Sequence, residues 1–491
     1  MIKKLIIQNF RSIKDVEIEF SKINAFIGPN NAGKSNIMKA LNFVLGETYP
    51  TVRSFDQKDF YIYNTNNPII IKALFNNHLE SDTRVCGFKL IFDGNECNYT
   101  AINQDGNELT HPSRGNPIKV SNAMKEEVTL MYLSLDRQAS QQIRPSQWTL
   151  YGKLLKHIHN QINGIRTSEF KDGLQKLYKD KIYSNIQYME DILKEHVQKQ
   201  TGLDLTLKLS LLNPIEVIKN LRPYFIEEGL EFDVEEVGAG VQSALAIAIA
   251  RAYSQIVRKS LIIAIEEPEL YLHPHGCRQF YKLLKNIAEE ENIQIIYTTH
   301  ERSFVDIADF KNIHIVRKEN NETKVYSGIN LLYSTNYDEV KIASKFDEYI
   351  NEVFFAEYVV LVEGYSDKIA CKLALEKLGV DVDLKNISII DCGSKTAIKP
   401  IAEILKHFNI KTYVLIDSDA DIEKSELQNL LGNDYVFIQD PDLEGMLGRE
   451  KLGLRADEKL NKEKSLRLLP KYFEENHIPP IYEYLKQRMG F

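Results

Sequence analysis

Long apolar runs, paired cysteines and low-complexity tracts are all missing from this chain of 491 residues. Without an uninterrupted apolar stretch of about 18 residues, no transmembrane helix and no membrane partner are expected. The five cysteines (Cys86, Cys97, Cys277, Cys371, Cys392) form no CxxC pair, which argues against a zinc site and a disulfide framework. The opening "MIKKLIIQNFRSI" breaks its apolar run at Gln8-Asn9 and reads as a strand, not a signal peptide. A cytoplasmic protein is the simplest expectation. A pronounced basic excess is missing too: net charge is −8. Any nucleic-acid contact must then come from a local patch, for which Arg449 to Lys471 is one candidate. Sustained heptads are likewise missing, which excludes a long coiled coil.

What is present is a soluble globular composition in a chain long enough for two to four domains. Strand patterns come first: "KKLIIQNF", "VEIEF" and "INAFIG", then "PIIIKALF", "FKLIFDG" and "VTLMYLSL". Between about Tyr151 and Gln200 the pattern turns helical, with Ile182, Ile186, Met189 and Leu193 in phase. Strand–helix alternation resumes at "LIIAIEEPEL", "IQIIYTTH" and "IHIVRK". After Asn330, "DEVKIASKFDEYINEVFFA" reads as a helix leading into "YVVLVEG". The strands "ISIIDCG", "TYVLIDSD" and "YVFIQD" then alternate with helices, which implies an α/β unit with a mostly parallel sheet.

Two constellations carry chemistry. In the first, Gly28-Pro29-Asn30-Asn31-Ala32-Gly33-Lys34-Ser35 fits G-x-x-x-x-G-K-[ST] between a strand and a helix. Gly28, Asn30, Asn31 and Gly33 shape a loop that wraps phosphates. Lys34 supplies a cation to the β and γ phosphates of ATP, and Ser35 a hydroxyl to Mg²⁺. "LIIAIEEPELYLHP" delivers Glu266 and Glu267 together at the end of an apolar strand. One acid there can serve the Mg²⁺ shell and the other the attacking water. His300 ends the strand "IIYTTH", within reach of a γ phosphate. Gly238 to Ser243, with Gly240 and Gln242, opens a further helix as a second phosphate-binding element. One phosphate seldom needs two such loops from one chain, so a homo-oligomer, at least a dimer, is expected.

This order of motifs resembles the ABC-type ATPases. More narrowly, "IQNFRSI…INAFIGPNNAGKS" and "AIEEPELYLHP" resemble the branch that contains RecF and the OLD (overcoming lysogenization defect) proteins. The resemblance implies that Lys34 and Ser35 form the Walker A pair, Gly240 and Gln242 the signature loop, Glu266 and Glu267 the Walker B acids, and His300 the switch histidine. The chain departs from the pattern with Glu in place of the first Walker B Asp and with no leading Ser in the signature.

The second constellation begins at "YVVLVEGYSDKIA", where Glu363 ends a strand and Asp367 lies on the first turn of the next helix. "YVLIDSDADIE" ends a later strand in Asp417 and Asp419, which side-chain alternation turns to one side. Strand ends of a parallel sheet share one edge. Glu363, Asp417 and Asp419 are therefore expected to converge as hard oxygen ligands for Mg²⁺ or Mn²⁺, with Glu444 as a candidate for a second metal position. Asp421 lies further into the loop and is expected to cap the following turn or to sit in the outer shell.

This spacing is similar to the Toprim domain, and "FFAEYVVLVEGYSD" resembles the ATPase–Toprim junction of the OLD family. The resemblance implies an ABC-type P-loop ATPase at 1–150 and 201–335, a helical dimerisation module at 151–200, and a Toprim nuclease domain with a helical extension at 336–491. It further implies that Glu363, Asp367, Asp417, Asp419 and Glu444 bind metal and that a downstream lysine stabilises transition-state charge. Lys464 is the candidate, with Lys462 and Lys471 as alternatives. The expected activity is ATP-regulated, metal-dependent cleavage or nicking of DNA in anti-phage defence, as in Gabija-type and retron-associated OLD nucleases. A helicase-like, or reverse transcriptase and RNA, partner would come from another gene. The second reading is a RecF-like repair or loading ATPase whose Toprim domain only docks partners.

Overall fold

The computed structural model describes residues 1–134, 149–162, 176, 183–201, 204, 221–257, 260–270, 272–290, 292–331 and 348–491. These fall into two compact units, one built from Met1–Tyr132 with Ser260–Phe491, the other from Leu133–Lys259. In the first stretch run β1 (Ile2–Phe10), β2 (Ile13–Glu19), β3 (Ile23–Ile27), β4 (Ile69–Phe75), β5 (Gly87–Phe92), β6 (Cys97–Ile102) and β7 (Thr129–Leu133). Next come the hairpin β8 (Tyr224–Glu227) and β9 (Leu230–Asp233), then β10 (Leu261–Glu266), β11 (Ile293–Thr299), β12 (Ile313–Glu319) and β13 (Glu322–Ser327). The last four strands are β14 (Tyr358–Val362), β15 (Ile387–Asp391), β16 (Lys411–Asp417) and β17 (Val436–Gln439).

Two sheets make the N-terminal part of the larger unit. One is antiparallel, in the order β2-β1-β4-β5-β6, and its strands alternate buried and open positions as a half-covered sheet should. The other runs β13-β12-β3-β11-β10-β7, with β12, β3, β11 and β10 parallel. Every residue of β3, β10 and β11 is buried, as parallel strands covered on both faces require. Helix Lys34–Leu45 joins both sheets in one core: its Ile37, Met38, Leu41 and Val44 cluster with Leu5 and Ile7 of the first sheet and Phe26 and Ile296 of the second. The P-loop ahead of that helix is thereby fixed to β3.

The C-terminal part is an all-parallel, four-stranded sheet in the order β15-β14-β16-β17. Tyr358, Val360 and Val362 of β14 face a core shared with helices Tyr365–Lys377, Lys462–Glu475 and Pro480–Met489. Val359 and Leu361 are equally buried from the opposite face. The chain leaves β14 toward β15, then returns past β14 to form β16. That reversal puts a switch point between β14 and β16, where open α/β sheets hold ligands beyond their strand ends.

Four expectations change in detail. β6 and β13 were not expected, because "CNYTAI" and "ETKVYS" mix polar and apolar residues without a clean alternation. The β8–β9 hairpin was likewise not expected. In place of an α-helix before β14, residues Glu348–Phe354 form a 3-10 turn; the rest of that expected helix, and much of the 151–200 segment including Ile182, lies outside the described residues.

Candidate functional site: a P-loop and a carboxylate edge

The P-loop needs glycine where the backbone passes other chain closely. A Cβ on Gly33 (φ 114) would stand 2.2 Å from Thr323 Oγ1, and one on Gly28 (φ 154) 2.0 Å from the Val316 carbonyl oxygen. Thr323 braces the loop by donating to the Ala32 carbonyl at 2.8 Å. Lys34 is buried, and its ammonium donates to the carbonyls of Gly28 (2.8 Å) and Pro29 (3.0 Å). Burial pushes its pKa down to about 8, against the fields of Glu267, Glu269 and Glu266. No acid stands in the first turn of its helix. A buried cation beside a helix start without acids fits the phosphates of a nucleotide.

The acids opposite are held separately. Glu266 is 3 % exposed and accepts the Tyr132 hydroxyl at 2.7 Å. Glu267 adopts a left-handed φ of 46 and donates its backbone N–H to the Thr298 carbonyl at 2.9 Å. Its carboxylate lies 3.7 Å from His300 Nε2. Burial lowers the His300 pKa, and Lys34 lowers it further against the opposing pull of Glu267, so the ring is neutral at pH 7. Glu269, the last acid of "EEPE", was missed by sequence reasoning; it accepts the His300 backbone N–H at 2.7 Å and fixes that strand end. Lys34, Glu266, Glu267 and His300 lie together, with Ser35 on the same helix start. Gly240 and Gln242 open helix Ala239–Val257 in the smaller unit, where Gln242 donates to the Val237 carbonyl at 3.0 Å.

At the C-terminal edge of the parallel sheet, one carboxylate oxygen from each of Glu363, Asp417 and Asp419 lies within 4.8 Å of the others. Glu363 follows β14 directly and accepts the Asp417 backbone N–H at 3.0 Å, so each residue fixes the other. β16 ends at Asp417, so Asp419 sits in the turn beyond the strand, and the turn rather than the expected strand alternation carries it to the cluster. Asp421 begins helix Asp421–Leu431 and remains exposed.

Burial, then the charges of Asp417 and Glu363, push the Asp367 pKa up to about 7. Burial, then Glu363, Asp442 and Asp419, push Asp417 up to about 7 as well, with Lys459 opposing. Gln439, 1 % exposed at the end of β17, has one amide orientation that satisfies both its ends; in it the nitrogen donates to Asp367 Oδ1 (2.9 Å) and Asp417 Oδ1 (3.2 Å). Glu444 is buried beside Asp367, and one of its carboxylate oxygens accepts the Leu460 N–H at 2.7 Å. This donor set is made of hard oxygens only, crowded enough to resist ionisation, and fits Mg²⁺ or Mn²⁺.

Lys464 is paired with Glu458, Lys462 lies over the Tyr365 ring (5.0 Å), and Lys471 reaches Glu475 at 4.0 Å. The charge of Lys459, which no motif flagged, reaches Asp417.

The raised carboxyl pKa values give a pH signature. Unfolded aspartates ionise near pH 3.8 and the folded pair near pH 7. Below pH 4 the shift contributes nothing. Between about pH 4 and 7 the unfolded chain ionises first, and above 7 the full destabilisation of the metal-free protein is present. Adding Mg²⁺ should therefore raise the melting temperature by several degrees at pH 8 and by little at pH 5. Equal increments at both values would contradict a crowded carboxylate site.

Residues 1–129 and 100–305 match the AAA_15 family model, an AAA ATPase domain. Residues 354–419 match the model of the TOPRIM domain of proteins like the overcoming lysogenization defect protein. The class is thus an AAA-type ATPase followed on the same chain by a Toprim domain. Nearly its whole length is similar to the OLD nuclease of Thermus scotoductus, 29% identical over 94% of this chain and 93% of that one. The Old nuclease of Escherichia phage P2 is 24% identical over 87% and 79%, and the endonuclease GajA of Bacillus cereus 24% over 92% and 83%. The chain belongs to the AAA_15 ATPases, carries an OLD-like TOPRIM domain, and is similar over nearly its whole length to OLD nucleases.

Proposed function

We propose that the protein is an ATP-regulated, Mg²⁺- or Mn²⁺-dependent DNA endonuclease or nickase that acts in the cytoplasm against phage. The observation that carries this reading is the convergence of Glu363, Asp417 and Asp419 at the β14–β16 switch point. When bound there, divalent ions supply Lewis-acid stabilisation of the attacking and leaving oxygens of a phosphodiester. Glu363, Asp417 and Asp419 hold them, with Asp367 completing the set and Gln439 orienting both Asp367 and Asp417. Lys459, rather than Lys464, faces the charge that develops on the phosphate. A docking module of RecF type would have no use for aspartates held near pKa 7 at a sheet edge.

At the other site, Lys34 holds the phosphates of ATP, Glu266 the Mg²⁺ shell, and Glu267 orients and deprotonates water. Gly240 and Gln242 serve the pocket of a second protomer. Helix Tyr183–Thr201 supports a dimer, because it exposes Tyr188, Met189, Ile192 and Leu193 along one stripe. A helicase-like, or reverse transcriptase and RNA, partner supplies what triggers cutting.

Supercoiled plasmid incubated with Mg²⁺ or Mn²⁺, with and without ATP, tests the reading. Nicked and then linear DNA should appear in the wild type. Lys459→Ala should lower the rate about 100-fold, and Lys464→Ala by less than about threefold. No cleavage with either ion, with and without ATP, would leave the docking reading standing.

A further inference from the structure

A polyanion must lie against an edge lined with carboxylates, so the cations beside that edge decide where its backbone runs. Several are already committed. Arg449 donates to Asp442 and to the Glu458 carbonyl, Lys464 pairs with Glu458, and Lys462 covers the Tyr365 ring. Lys395 is placed differently. It begins helix Lys395–His407 directly after β15, and its Nζ lies 3.6 Å from Asp419 Oδ1. That separation is too long for a hydrogen bond, and Asp419 is 76% exposed, so the pair adds little stability and leaves the ammonium available.

Helix stability does not account for a lysine there. Helices Tyr365–Lys377 and Asp421–Leu431 start at the same edge, and both carry acids in their first turns, as the helix dipole favours. The helix after β15 has no acid in its first turn, places Lys395 at its first position, and receives no side-chain cap from Ser394. Dipole and ammonium therefore add to one positive spot on the β15 flank of the acids. The charge of Lys459 also reaches Asp417. A positive spot on the β15 side of these carboxylates gives a phosphate backbone a place to run past the strand ends.

We propose that Lys395 is a substrate-anchoring residue, whose ammonium holds the DNA backbone phosphate adjacent to the scissile one on the β15 side. This rests on the nuclease reading, and it is tested apart from it. Binding of a fluorescent 30-base-pair duplex is followed in Ca²⁺, which permits binding without turnover, over a range of KCl concentrations. Lys395→Ala should weaken binding about three- to tenfold near 100 mM salt and reduce the slope of log K against log salt by about one. Lys395→Arg should restore both. Lys399→Ala, one turn along the same helix where Lys399 pairs with Glu426 at 3.0 Å, should change neither. Plasmid nicking at saturating DNA should stay within about twofold for Lys395→Ala while its KM rises. An unchanged affinity and slope, an equal loss in Lys399→Ala, or a fall in kcat without a change in binding would each overturn the anchor. Wild type that binds DNA but never nicks would overturn the nuclease reading and leave the anchor measurement intact.

Discussion

Asp417→Asn is expected to lower divalent-dependent nicking by about three orders of magnitude and, at the same time, to stabilise the metal-free protein. Both effects come from the same crowding. Asp417 is pushed up to about pKa 7 by burial and by Glu363, Asp442 and Asp419, so above that pH its charge is held against three neighbouring acids. Asparagine has the same shape, keeps the backbone N–H that Glu363 accepts, and removes the charge. At pH 8 the melting temperature without metal should rise by about 2–4 °C, the equivalent of roughly 1 kcal/mol. At pH 5, where the folded carboxyl keeps its proton but the unfolded one is already ionised, the gain should be smaller, and below about pH 4 it should vanish. ATP hydrolysis should be unaffected. Nicking within tenfold of wild type, or a loss of stability at pH 8, would count against Asp417 as a metal ligand.

The two chemical centres were legible because they lie where period and motif are strongest. β3, β10, β11, β14 and β16 are near-continuous apolar runs, and each ends at a residue or loop with chemistry: the P-loop, Glu266, His300, Glu363, Asp417. Covered parallel strands leave that signature because neither face meets water. The partners of those residues were not legible. Gln439 looks like any polar residue at a strand end, and only the neighbouring strand β16 gives it Asp417 to hold. Lys459 lies in the irregular stretch between two helices, where no periodicity says which way a lysine faces. Glu269 was in plain view in "EEPE", yet its bond to the His300 N–H depends on a contact between separate strand ends. Asp419 was identified through strand alternation, although the strand stops before it. Its close spacing to Asp417 was the sound part of that inference, since a tight turn carries both acids to one edge.

The second large effect separates the paired glutamates of the ATPase. Glu267→Gln should reduce ATP hydrolysis by about 10²- to 10⁴-fold while ATP still binds. The setting of Glu267 fits the role proposed for it toward water: its left-handed backbone is pinned by its N–H bond to the Thr298 carbonyl, and its carboxylate faces His300 at 3.7 Å. Glutamine keeps the size and a hydrogen-bonding oxygen but cannot take a proton. Glu266→Gln should behave differently, because Glu266 is buried on the Tyr132 hydroxyl and its proposed role is in the Mg²⁺ shell. Its main effect should be a rise of about tenfold or more in the Mg²⁺ concentration needed for half-maximal hydrolysis. Steady-state hydrolysis across Mg²⁺ concentrations, with nucleotide retention measured beside it, reads both. If the two variants gave the same profile, the division of labour would fail. The retained-ATP variant also sets the sign of control over the second site: in Glu267→Gln, nicking that stays on with ATP means that bound nucleotide licenses cutting, and nicking that stays off means that hydrolysis must release it. Either sign is compatible with one chain holding both centres, whereas nicking indifferent to ATP in both wild type and variant would remove regulation from the proposed function.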